Sequence, residues 1–202
     1  MIREPHISPA VSGASTGRTF AVLVVCTGNI CRSPAVERLL MAGLGDDSGV
    51  VVTSAGTRAM VGHPVSGPMV PLMATAGAVA DGFVARQLTA ELITEADLVV
   101  VMTRKHRSAV VGLAPSSVRR TFTLRELARI AGDVDQDALP DGTPAERRAA
   151  LVKAAAGQRS AHRGDAGLDA VSDPYRRGEA AYARSFEELE PAVRVLVAVV
   201  RR

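Results

Sequence analysis

The chain alternates between oily runs and amphipathic stretches. Residues 20–25 (FAVLVV) are apolar without a break, which predicts a strand buried on both faces. A short polar loop follows. Pro34 then falls where it can occupy a first helical turn, with Val36, Leu39, Leu40 and Leu44 at helical spacing behind it. The pattern recurs, predicting strands over 50–53, 97–102 and 118–123 and helices over 68–76, 105–113 and 124–130, with Gly77 closing the first of these helices. Residues 179–202 carry apolar side chains at 182, 186, 189, 193, 196, 197 and 200, an amphipathic helix that Pro191 should kink or divide. Strands alternating with helices predict an α/β fold, a three-layer, doubly wound sheet of four parallel strands. Sites in such sheets lie at the C-terminal ends of the strands, where the polar loop after residue 25 falls.

Two segments break the pattern. Residues 1–18, rich in Ser, Gly, Pro and Ala, read as a flexible N-terminal leader. Residues 132–172 are polar and rich in Ala, Arg, Asp and Gly, with one local signal. Thr143-Pro144-Ala145-Glu146 is a capping box with Pro at the first helical position, opening a helix that Gly157 can close. The expected organisation is therefore a leader, then a single domain over 19–202 with a polar, partly helical insertion at about 132–172.

Composition narrows the picture. Hydrophobic residues make up 47% and aromatics only 3%, with no Trp, so the core must be aliphatic. A net charge of +3 is too slight to argue for nucleic acid, although a basic rim would help steer an anion. No apolar run has the length of a membrane span, and residues 1–18 lack the oily core of a secretory signal. Two cysteines cannot form a disulfide framework. A cytoplasmic protein is expected, with no membrane partner.

Both cysteines sit in 26-CTGNICRSP-34, between the first strand and the first helix. Cys-x5-Arg in that place is a coherent anion device. Gly28 allows a tight turn, so that backbone N–H groups point inward as a nest, and the helix N-terminus adds partial positive charge. The Arg32 guanidinium can grip two oxygens of a tetrahedral oxyanion. The same donors favour a thiolate at Cys26, a nucleophile aimed at phosphorus, and Ser33 can donate to that sulfur. Asn29 can brace the loop through its amide. Other chemistries fit poorly. Two cysteines and four scattered histidines make no zinc set, Cys26 and Cys31 are too far apart for Cys-x2-Cys, and there is no Walker loop.

At this point 25-VCTGNICRSPAVE-37 resembles the signature of the low-molecular-weight protein tyrosine phosphatases. The resemblance continues in 53-TSAGT-57, 85-ARQLT-89, 97-DLVVVMTRKHR-107 and 173-DPY-175. It implies a flavodoxin-like phosphatase fold and hydrolysis of a phosphate monoester in two steps. Cys26 would form a phosphocysteine, Arg32 would stabilise the transferred group, and Asp173 would act as acid and then base. Thr27, Gly28, Asn29, Ile30, Cys31 and Ser33 would cradle the phosphate, and Tyr175 would stack on the substrate ring. By the same resemblance Ser54 supports Asn29, and Cys31 can form a protective disulfide with Cys26. No metal and no organic cofactor are implied. The other aspartates, Asp133, Asp135, Asp137, Asp141, Asp165 and Asp169, read mostly as surface or loop residues, and His63 and His106 as solvent-facing.

Ile30 and Tyr175 favour phosphotyrosine proteins as substrates, a bacterial tyrosine kinase among them, because relatives specific for phosphoarginine resemble one another in a Thr at the Ile30 position. Three departures widen the field: Arg176 where many relatives have a second aromatic, no aromatic in 58-RAMVGHP-64, and Phe83 where some have a histidine. A small phosphate ester or sugar phosphate is the alternative substrate, and arsenate reduction with a small-thiol partner the alternative reaction. The expected assembly is a monomer or a weak dimer.

Overall fold

The computed structural model describes residues 18–162 and 167–201. Apart from Arg18, the leader expected over 1–18 lies outside the described residues, as does Asp165. Four strands, β1 (Phe20–Cys26), β2 (Val50–Gly56), β3 (Leu98–Val101) and β4 (Thr121–Thr123), form one sheet in the order β2-β1-β3-β4. Every pairing is parallel, with Cys26 opposite Gly56 and Val25 opposite Val101. Among the described residues the α-helices are α1 (Arg32–Leu44), α2 (Val70–Thr75), α3 (Ala90–Glu95), α4 (Arg104–Leu113), α5 (Leu124–Asp133), α6 (Pro144–Gln158) and α7 (Glu179–Val200).

Side-chain alternation along β1 builds the layers. Phe20, Val22, Val24 and Cys26 enter a large aliphatic core with Val36 and Leu40 of α1, Ile130 of α5 and Leu189 and Val193 of α7. Leu23 and Val25 face the other way, onto Ile93 of α3 and Val110 of α4. Both faces are covered, which is why the strands read as unbroken apolar runs. The result is the three-layer doubly wound fold. β2 and β3 flank β1 on opposite sides, so the crevice of the fold opens at the C-terminal end of β1, at Cys26.

Several boundaries differ from expectation. Residues 118–120 belong to a 3-10 segment, Pro115–Arg120, rather than to a strand. Pro115 opens it, and the buried Ser117 hydroxyl donates to the Ala114 carbonyl at 2.7 Å, a local bond that competes with the ladder. The helix expected over 68–76 divides into a 3-10 turn, Gly67–Met69, and the short α2. α7 runs through Pro191 without division. Pro191 and Glu187 lie on the exposed side, so the carbonyl that loses its partner reaches water. In the 132–172 region the Thr143–Glu146 capping box forms and α6 runs one residue past Gly157. Its residues Leu151, Val152 and Ala155 are buried. No helix among the described residues is long and apolar enough to cross a membrane.

Candidate active site

The loop that leaves β1 at Cys26 is held from outside by its carbonyls. Cys26 O, Thr27 O, Gly28 O and Ile30 O accept from the amides of Thr57, Arg58, Met60 and Ser66 at 2.9, 2.9, 2.9 and 2.7 Å. With the carbonyls turned outward, the loop's own N–H groups face the interior. Asn29 N lies 3.3 Å from Cys26 Sγ, and the amides of Gly28, Ile30 and Cys31 bond to no other described residue. The left-handed residue of this nest is Asn29 (φ 54) rather than Gly28, where a Cβ would meet Ile30 at an ordinary 3.5 Å. Glycine is required instead at Gly56, where a Cβ would stand 2.5 Å from Thr27 O. Helix α1 starts immediately behind the loop with no capping side chain and no acidic residue in its first turn. Its positive end is open toward the sulfur.

A directed chain of hydrogen bonds ends on Cys26. Asn29 Nδ2 donates to Ser54 Oγ at 2.8 Å and to Ser33 Oγ at 2.9 Å, which uses both of its hydrogens. Ser54 Oγ in turn donates to Glu37 Oε2 at 2.5 Å. Ser33 Oγ, already accepting, has its hydrogen free for Cys26 Sγ 3.0 Å away. Arg86 closes the far side: its amide donates to Asn29 Oδ1 and its Nε to Ser54 O, each at 2.8 Å. Burial raises the Glu37 carboxyl, and its bond from Ser54 and the nearby Arg38 and Arg86 pull the other way.

Arg32 is almost fully buried. Its Nη1 donates to Val171 O at 3.1 Å and its Nη2 stands 2.8 Å from Asp173 Oδ2. Its Nε, also buried, has no partner among the described residues. Asp173 is half-exposed, and its Oδ1 accepts from Tyr175 N at 3.2 Å. Tyr175 is exposed, with the Arg176 guanidinium 5.2 Å above its ring and Arg176 itself at φ 60. The structure thus brings Cys26, Arg32, Ser33, Asn29, Ser54 and Asp173 into one constellation, with Ile30 buried in the adjoining core.

Cys31 caps α1 through its backbone, and its buried thiol lies 3.5 Å from Tyr182 Oη, which is 2.7 Å from Ser66 Oγ. Both cysteines are free. Burial pushes the Cys31 thiol upward, against its bonds to Tyr182 and Ser66.

Two expectations are overturned. His106 does not face solvent: it is buried, with Nε2 2.8 Å from Thr27 Oγ1 and Nδ1 2.9 Å from Thr103 Oγ1. Burial, then the Arg32 charge, depress it to about 4, so it is neutral near pH 7. Asp169 is no surface residue either. It is buried between Arg104 and Arg129. Thr103 as helix N-cap three residues before His106 was a signal for the first; nothing local marked the second. Glu37, Arg86, Ser66 and Tyr182 also belong to the site without having been singled out. His63 is exposed, as expected. Among the described residues no group of three or more His, Cys, Asp or Glu side chains is arranged to hold a metal ion.

The family model described as low molecular weight phosphotyrosine protein phosphatase matches residues 21–142. The low molecular weight protein-tyrosine-phosphatase Etp of Escherichia coli K12 is 41% identical over 102 residues, half of this chain and 67% of that protein. The probable enzyme AmsI of Erwinia amylovora is 42% identical over 102 residues, covering 50% of this chain and 69% of its own. The crystal structure of the Erwinia amylovora tyrosine phosphatase AmsI matches at TM-score 0.64 with 27% identity, covering 92% of this chain and 95% of that one. The YwlE arginine phosphatase of Geobacillus stearothermophilus matches at 0.63 with 26% identity, covering 89% and 91%.

Proposed function

This chain belongs to the low molecular weight phosphotyrosine protein phosphatases, and from that premise we propose that it hydrolyses phosphotyrosine in proteins with Cys26, Arg32 and Asp173 as its catalytic residues. The observation that carries the assignment of roles is the orphaned Arg32 Nε, buried beside unpaired loop amides and a thiol. A buried guanidinium donor left without a partner is costly, and a phosphoryl oxygen in the loop would satisfy it.

The reaction follows from this geometry. Cys26 Sγ attacks phosphorus in line as its thiolate while the loop amides of 27–33 and Arg32 hold the equatorial oxygens. The bond from phosphorus to the tyrosyl oxygen breaks with its electron pair going to oxygen, and the Asp173 carboxyl delivers a proton there. Phosphocysteine and free tyrosine result. Asp173, now a carboxylate, takes a proton from water as that water attacks phosphorus. The S–P bond returns its pair to Sγ, where the Ser33 hydroxyl receives the charge. Ile30 and Tyr175 form the apolar surroundings of the phenyl ring, and Thr27, Gly28, Asn29 and Cys31 complete the cradle. Ser54 holds Asn29.

Ile30 in place of a hydroxyl side chain favours an aryl ester over phosphoarginine, and Asp173 two residues before Tyr175 suits a phenolic leaving oxygen better than the hydroxide that arsenate would release. Phosphotyrosine-bearing proteins, tyrosine kinases among them, are the partners this reading requires. The assembly proposed is a monomer or a weak dimer. A cytoplasmic location suits a nucleophile that must stay reduced, and on this reading Cys31 guards it. Residues 19–202 act as one domain on this reading.

Wild type, Cys26→Ser and Asp173→Asn assayed on phosphotyrosine, phosphoserine and phosphoarginine peptides, sugar phosphates and arsenate test the proposal. Phosphotyrosine turnover abolished by Cys26→Ser is expected. Turnover that survives in Cys26→Ser would sink the mechanism, and arsenate turnover without ester hydrolysis would sink the reaction.

A further inference from the structure

We propose that Asp169 is a positioning residue for the general acid: its buried carboxylate, clamped between Arg104 of α4 and Arg129 of α5, sets the course of the loop that carries Asp173. The inference rests on the reading of Asp173 as the acid.

Asp169 Oδ2 accepts from Arg104 Nη2 at 2.8 Å, and Oδ1 stands 3.0 Å from Arg129 Nη2. Its side chain is 3% exposed, whereas that of Asp173 is 47% exposed. Oδ2 is hydrogen-bonded by Arg104, while Oδ1, paired with Arg129 by charge, has no hydrogen-bond partner among the described residues; a buried carboxylate held between two guanidinium groups ties the chain to both helices. From there the backbone has little slack. Arg125 Nη1 donates to Ala170 O at 3.1 Å, and Val171 N donates to Met102 O at the end of β3 at 2.9 Å. Val171 O accepts from Arg32, and Ser172 N and Oγ donate to Glu188 of α7 at 2.6 Å. Among the described residues upstream of Val171, Asp169 ties this run through its side chain to the two helices. Loss of the carboxylate would release that anchor, and the displacement would reach Asp173 through Val171.

An ion pair that only stabilises the fold makes a different prediction from one that aims an acid. Proton delivery matters in proportion to the basicity of the leaving oxygen, so misplacing Asp173 slows esters of weakly acidic phenols and spares activated ones. Damage to the fold or to the Cys26 loop slows all esters alike. The test measures kcat and KM for Asp169→Asn, Arg104→Gln and Asp173→Asn over a series of aryl phosphates, from dinitrophenyl phosphate through phenyl phosphate to phosphotyrosine. Asp169→Asn is expected to lose about tenfold or more in kcat on phosphotyrosine and under about threefold on the dinitrophenyl ester, with KM unchanged. Asp173→Asn should tilt the same series further. A loss equal on every ester, or no loss, in Asp169→Asn while Asp173→Asn tilts the series would overturn the inference. A flat series in Asp173→Asn would instead overturn the reading of the acid. Should Asp169→Asn fail to fold, Arg104→Gln decides: the folded variant must tilt the series in the same direction, and a flat one overturns the proposal.

Discussion

Arg32 Nη2 lies 2.8 Å from Asp173 Oδ2, so the group that grips the phosphate on our reading also pairs with the acid. An incoming phosphate must take that donor away. Removing the competitor should tighten phosphate binding even as it removes the proton source. Asp173→Asn is therefore expected to bind inorganic phosphate two- to fivefold more tightly, from a pair whose half-exposed carboxylate keeps it worth ~0.5–1 kcal/mol, while kcat on phosphotyrosine falls by ~100-fold or more. Calorimetric titration with phosphate beside steady-state kinetics separates the two effects; weaker phosphate binding in the variant would refute the competition.

The depressed His106 links acidity to stability. Its folded value of about 4 lies below the unfolded 6.5, so the unfolded chain binds the extra proton between those values. The contribution of neutral His106 is complete above pH 6.5 and is lost as the pH falls through 4. Unfolding free energies from denaturant titrations should drop across that window by up to about 3 kcal/mol from this group. His106→Asn should flatten that part of the profile. An unchanged acid slope in the variant would assign it to other groups.

Gly56 is where β2 passes closest to the loop. Gly56→Ala puts a Cβ 2.5 Å from Thr27 O and 3.0 Å from Ala59 Cα, backbone atoms that cannot move aside cheaply. A loss of about 2 kcal/mol, roughly 4–8 °C in Tm, is expected, together with reduced kcat as Thr27 shifts. A melt unchanged within a degree would show that the approach is not close.

Cys31 should rescue Cys26 from oxidation. Peroxide converts the Cys26 thiolate to a sulfenic acid, and attack by the Cys31 sulfur expels hydroxide and closes a disulfide that thiols can reopen. Since burial raises Cys31 above its ordinary 9.0, its thiolate grows as pH rises and closure should accelerate with it. In Cys31→Ser a second peroxide should carry the Cys26 sulfenic acid on to the sulfinic acid, so activity should not return on adding dithiothreitol. Equal recovery in both proteins would leave Cys31 as packing.

Much of this site was legible in the chain because its parts are local. FAVLVV, the polar loop after it and the helix behind Pro34 are contiguous, so the cradle could be read as strand, loop and helix end, although its left-handed residue is Asn29 and not Gly28. What stayed hidden depends on partners far along the chain. His106 is buried by Thr27, 79 residues away, and Asp169 by Arg104, 65 residues away; neither pairing leaves a mark on the periodicity of its own segment. Residues 118–120 misled for a different reason. Val and Arg at a sheet edge fit a strand, but Pro115 and the Ser117 hydroxyl had already committed the backbone to a tighter turn. The strand could begin only at Thr121.

The outer shell of the loop separates two kinds of change. Thr57, Arg58, Met60 and Ser66 hold the cradle through main-chain amides, a service that almost any residue except proline can render. Of their side chains only that of Ser66 is bound into the site, through Tyr182. Arg58 and His63 are exposed and Met60 is only half-buried, so this strip can be rewritten to greet a new phosphoprotein while the chemistry beneath stays untouched. The fold thereby keeps its reaction constant and lets its clientele drift.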